Sequence, residues 1–146
     1  MSYLLEYYEK IKQGTILVGK ELFTVIKGLV EDLNNPRYTY DLKPGHIRID
    51  FIETFCKHTK SPFNGMPFIL ELWEKAVLEV AYGFKMRDTN LRRFNEVLLL
   101  IARKNGKTTF IAAIDLAEFF LSKGGVDIVC ASNTIRYMNR RRLKWQ

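Results

Sequence analysis

Apolar positions recur at helical spacing through most of the chain. Residues 3–12 carry a short helical pattern. Residues 20–33 carry a second, with Leu22, Val25, Ile26, Leu29, Val30 and Leu33 on one stripe. Asn34-Asn35-Pro36 ends it, and residues 36–45 read as loop, punctuated by Pro44-Gly45. A third helix is predicted over 46–58, with Ile47, Phe51, Ile52, Phe55 and Cys56 on its buried side. Ser61 to Pro67 is loop, and a fourth helix follows at about 70–83, with Leu70, Trp73, Val77, Val80, Ala81 and Phe84 at helical spacing.

The pattern then changes. After a charged connection from Lys85 to Arg93, residues 95–102 contain the run Val97-Leu98-Leu99-Leu100-Ile101-Ala102, six apolar residues in a row. Such a run suits a strand buried on both faces of a parallel sheet. Residues 107–122 return to a helical pattern that is apolar over a broad arc, as suits a helix covering a sheet. Lys123-Gly124-Gly125 stops it, and Val126 to Ala131 reads as the next strand. The unit 95–131 is thus a predicted β-α-β crossover, expected to be right-handed. A last helix, 134–145, is rich in arginine and reads better as a solvated end than as a nucleic-acid arm. The expected fold class is therefore α/β: a helical N-terminal module (1–60), the start of a parallel-sheet core (61–134) and a basic C-terminal helix or tail (135–146).

Composition adds little to that outline. The chain has 146 residues, 47% hydrophobic, enough for a core. No apolar run approaches the ~18 residues of a membrane span, and the N-terminus lacks a basic-then-apolar signal layout, so the expectation is a cytoplasmic protein with no membrane partner. Cys56 and Cys130 fall in apolar patterns and read as small buried hydrophobes; with no second Cys/His pair beside Cys56 and His58, no structural zinc is predicted. His46 stands alone. The net charge is +7, but residues 133–146 carry five cations and no acid, and +7 less five leaves only +2 for residues 1–132. Charge alone does not argue for nucleic acid.

The chemistry lies at the strand-to-helix turn, Ile101 to Thr109. The first N–H groups of a helix have no intrahelical partner and sit at the positive end of its dipole, so an anion fits there. Gly106 lets backbone and phosphate approach closely, Lys107 can reach β/γ phosphates, and the Thr108 hydroxyl can bind Mg2+. This is the strand–loop–helix order of a P-loop, and it names ATP and Mg2+ as ligands. The usual pattern, G-x-x-x-x-G-K-[ST], opens on glycine; here that position is Ile101.

Two stretches resemble the N-terminal ATPase part of the large terminase subunit of tailed bacteriophages. Ala102-Arg103-Lys104-Asn105-Gly106-Lys107-Thr108 is similar to that family's deviant Walker A motif, in which an extra basic residue replaces the glycine-rich opening. Ser61 to Glu74 resembles the adenine-side segment ahead of it, and Val129 to Asn133 the second core strand and its exit. The resemblance implies a RecA-like, incomplete parallel-sheet core and an ATP-driven DNA-packaging motor. It implies a nuclease domain that this chain lacks, and DNA, a small terminase subunit and a portal as partners. It also implies catalytic roles for Lys107 and Arg103. Arg103, Lys104, Asn105, Gly106, Lys107, Thr108 and Thr109 would line the phosphates, with Trp73 and Phe68 (and Pro67) near the adenine. The family often has Gln where this chain has Glu74.

No strand ending in Asp-Glu follows the loop, and Asp127 lies at the wrong end of its strand. Nor is there a late cluster of acids for nuclease metals. The expectation is a truncated, frame-shifted or excised fragment that binds ATP without turning it over alone. The alternative is a small basic DNA-binding or interfering module using residues 20–58 and the tail. A small P-loop kinase is disfavoured, because no acceptor site or lid follows residue 131.

Overall fold

The computed structural model describes residues 1–59, 61–102, 105–122 and 127–129. Their order is helix α1 (Tyr3–Lys12), helix α2 (Lys20–Glu31) with a 3-10 turn at Asp32–Asn34, strand β1 (Tyr38–Tyr40), helix α3 (Lys43–Phe55), helix α4 (Leu72–Gly83), strand β2 (Phe84–Met86) and helix α5 (Lys107–Leu121). Helix and strand are mixed, and the described sheet is a two-stranded antiparallel one.

The long helices follow the periodicity. α1, α2 and α5 lie where it places them. α3 starts three residues earlier than predicted, because Pro44 sits in its first turn, where a missing N–H costs nothing. The Asp41 carboxylate also accepts the Lys43 N–H at 3.0 Å. The helix ends at Phe55, since Cys56 is already extended and Lys57 bridges Pro67. α4 begins at Leu72 behind a capping box, in which Glu71 and Glu74 each accept the other's backbone N–H.

The sheet departs from expectation. Tyr38↔Met86, Thr39↔Lys85 and Tyr40↔Phe84 pair in segments read as loop, helix end and charged connection. Phe84 is the reason: it is fully buried, with the Tyr40 ring at 4.4 Å, Tyr38 edge-on at 6.2 Å and Phe94 at 6.0 Å. Strands of three residues are too short to show an alternation in sequence. The predicted strand 95–102, in contrast, carries no strand pairing among the described residues. Leu99 packs inward on the core, whereas Leu98 and Leu100 are more than four-fifths exposed, so the run is not buried on both faces. Of the predicted strand 126–131 only residues 127–129 are described, and they form none. The parallel crossover is therefore not part of the described fold. The stop at 123–125, Cys130 and the helix at 134–145 lie outside the described residues.

Two apolar clusters meet at α4. One joins Ile49 and Ile52 of α3, Phe68, Leu70, Leu78 of α4 and Phe110, Ala113 and Ala117 of α5. The other joins Leu4 and Tyr7 of α1, Ile26 of α2, Ala76 and Phe84, and Trp73 touches both. Each fully buried large side chain stabilises by roughly 1.5–3 kcal/mol. α3 crosses α4 closely at Gly45, where a Cβ would lie 2.7 Å from the Glu79 Cα.

Candidate functional site

Helix α5 opens directly behind Gly106. Gly106 has φ +70°, the left-handed conformation that glycine adopts without strain, and no heavy atom outside its chain neighbours lies within 4 Å of where its Cβ would be. Its carbonyl accepts the N–H groups of Thr109 (2.9 Å) and Phe110 (3.0 Å) and so starts the helix. The N–H groups of Lys107 and Thr108 precede the first helical bonds and are left for an outside acceptor. Asn105, Gly106, Lys107 and Thr108 are all exposed, and Thr109 is half-buried. Arg103 and Lys104 lie outside the described residues.

The helix is held at both ends. Phe110, in its first turn, is fully buried against the edge of Trp73, with ring centroids 5.6 Å apart. Trp73 therefore packs on the first turn of α5. Phe68 is buried in the same apolar cluster, edge-on to His58 at 5.1 Å. Glu74 is buried as well, and its Oε2 accepts the Glu71 N–H at 2.9 Å. Burial raises its pKa, and its carboxylate is committed to capping α4. At the far end of α5 the Arg48 Nε–H of α3 donates to Glu118 Oε1, and the guanidinium lies 3.9 Å over the Tyr82 ring. Ser122 Oγ donates to Glu118 Oε2 at 2.9 Å. Burial works to raise the Glu118 pKa, but the bonds from Arg48 and Ser122 outweigh it and the net shift is downward. Tyr82 is pushed up to about 12, first by burial and then by Glu118.

A second polar centre escaped the sequence reading. Glu79, fully buried on α4, accepts Ser2 Oγ (2.5 Å), the N–H groups of Tyr3 (2.9 Å) and Leu4 (3.2 Å), and the Tyr40 hydroxyl (2.6 Å). His46 Nε2 lies 2.8 Å from Oε2, the oxygen that also accepts the Tyr3 N–H. Burial opposes its charge, yet these donors together hold its pKa below the usual carboxylate range. The carboxylate also faces the positive end of α1. His46, solitary in sequence, is thus part of a structural anchor joining α1, β1, α3 and α4.

No helix among the described residues is long and apolar enough to cross a membrane, and no group of three or more His, Cys, Asp or Glu among them is arranged to hold a metal ion.

Residues 72–138 match the family model of the terminase large subunit, ATPase domain. The matched stretch opens at the first residue of α4 and contains Trp73, the loop and all of α5. Phe68 and the helices α1 to α3 precede it. The resemblance to the N-terminal region of a terminase ATPase, drawn from the loop and the upstream aromatic segment, therefore holds over this stretch, and an ATPase domain of this kind is a nucleotide-binding one. No curated protein and no solved structure matches the chain.

Proposed function

We propose that the loop ahead of α5 binds ATP with Mg2+, as the nucleotide-binding part of a bacteriophage DNA-packaging motor. The observation that carries this reading is the left-handed Gly106 immediately before a helix that opens on exposed Lys107 and Thr108, inside the stretch that matches the terminase ATPase family. Lys107 places a point charge toward the phosphates, Thr108 offers its hydroxyl to Mg2+, and Asn105 and Thr109 complete the loop. Arg103 and Lys104 add positive charge beside the transferring group, which is the main catalytic device in phosphoryl transfer. Trp73, fixed against Phe110, borders the base, with Phe68 behind it in the core. Bound ATP supplies the phosphoryl group whose transfer powers such motors. In the parallel-sheet, RecA-like core of this reading, 95–102 is the strand before the loop. DNA is the substrate moved, a small terminase subunit and a portal are the partners, and the setting is the cytoplasm of an infected cell.

Calorimetric titration with Mg-ATP tests the reading. The unaltered chain is expected to bind, and Lys107→Ala to weaken binding at least tenfold while melting at the same temperature. Equal binding by the two proteins removes the P-loop assignment.

A further inference from the structure

An apolar cleft lies among α1, α2 and α4. Leu4 and Tyr7 of α1 form its floor, the apolar stripes of α2 and α4 its walls, and residues 94–101 its fourth side. Leu22 and Val25, 45% and 58% exposed, mark its rim. Its volume is about 830 Å³, within the roughly 300–1,000 Å³ of sites that take a small organic molecule. Leu4, Ile26 and Ala76 tie the three helices into one buried cluster, so floor and walls are already in place.

The charge of the cleft runs against that of the chain. Net charge is +7, yet the charged side chains lining the cleft are Glu21 and Glu96, and no Lys, Arg or His among the described residues lines it. Both glutamates are exposed, and neither has an ion pair or hydrogen bond among the described residues. Tyr7 adds a third polar group. It is 9% exposed, yet its hydroxyl has no hydrogen-bond partner among the described residues. A buried tyrosine hydroxyl ordinarily has one. Trp73 and Phe94 also line the cleft, and aromatic faces attract cations.

We propose that this cleft binds a small amphipathic cation, an ammonium group carried on an aliphatic or aryl body. The stripes of α2 and α4 cover the body, and the two carboxylates attract the head. The Tyr7 oxygen is an acceptor for one of its N–H groups. The same charges disfavour a nucleotide, whose phosphates would meet carboxylates with no cation between them. A basic partner helix is too large: twelve residues, about 18 Å long and 10–12 Å across, take up roughly twice the volume of the cleft. The inference rests on shape and charge, and is independent of nucleotide binding at the loop.

The test is calorimetric titration of the full chain with three probes that share one tail, each below its micelle concentration: decylammonium, decyl glucoside and decyl sulfate. Decylammonium is expected to bind at a single site about tenfold more tightly than decyl sulfate, although the net charge of +7 favours the sulfate. Glu21→Gln/Glu96→Gln should abolish that preference at an unchanged melting temperature. Val25→Trp, which narrows the rim, should weaken decylammonium and decyl glucoside alike. Lys107→Ala should bind decylammonium as the unaltered chain does. The proposal is overturned if the three probes bind equally or the sulfate binds best, which would be an adventitious additive only. It is equally overturned if the double variant keeps the preference, or if Mg-ATP displaces decylammonium, which would give the cleft to the nucleotide base. Displacement by a helical Leu/Lys peptide at lower concentration also overturns it, and would make the cleft a groove for a partner helix.

Discussion

At the scale of single residues, backbone contact decides as much as chemistry. Gly45 lets α3 approach α4 so closely that a methyl group would enter the backbone of Glu79. Gly45→Ala should cost about 1–3 kcal/mol, the usual range for overpacking, or more because backbone cannot swing aside. Urea unfolding measures it, and a change below about 0.5 kcal/mol would mean that the crossing relaxes freely. Gly106 differs: there is room for a side chain, and only its φ is demanding. The place of Gly106 directly before a helix was readable because Lys-Thr and an apolar helical pattern follow it. At 45 nothing in the sequence marked a crossing, and the Pro-Gly pair read as loop. The Glu79 anchor was equally hidden, since its donors lie 33 to 77 residues away along the chain. A glutamate amid helical spacing looks like any solvated position.

At the scale of elements, α5 is a rod clamped at two points, Trp73 on Phe110 near its start and Arg48 with Tyr82 on Glu118 near its end. The second clamp is an ion pair about four-fifths buried on each side. Exposed pairs contribute at most about 1 kcal/mol, whereas residues in one shared network couple by about 0.5–3 kcal/mol. A double-mutant cycle of Arg48→Met and Glu118→Gln, read by thermal unfolding, should return a coupling of about 1–2 kcal/mol. A value near zero would make the contact incidental. The helices themselves were legible because each has several turns of periodic apolar residues. The two short strands were not, since three residues hold no period and Phe84 continued the stripe of α4. The run 97–102 is a different case. Its composition suits a doubly buried strand, but here Leu98 and Leu100 face outward and no neighbouring strand pairs with it among the described residues.

For the whole molecule, the carboxylates held by donors set the acid limit. Glu79, Glu118 and Asp32 have depressed pKa values, the last because its bonds from Arg93 and Asn35 outweigh burial. Groups of this kind stabilise the fold above the unfolded carboxylate value of about 4.3, and that contribution is lost as pH falls through their folded values. Glu74 is shifted the other way by burial, so its ionisation weakens the fold as pH rises. Three against one, stability measured by urea should fall steeply as pH drops from about 5 to 3. Each depressed group removes at most about 1.4 kcal/mol per pH unit. Glu118→Gln and Glu79→Gln should each flatten that limb, and a slope unchanged in both would remove these groups as its cause.

The Glu79 anchor also orders events in time. The carboxylate that receives the N–H groups of Tyr3 and Leu4 lies 75 residues downstream of Leu4. At a synthesis rate of about 5–20 residues per second, that separation is about 4–15 seconds. α1 thus leaves the ribosome well before the residue that fastens it. Until residue 79 emerges, Leu4 and Tyr7 have no α4 to cover them, and over that interval their apolar surface is open to a chaperone.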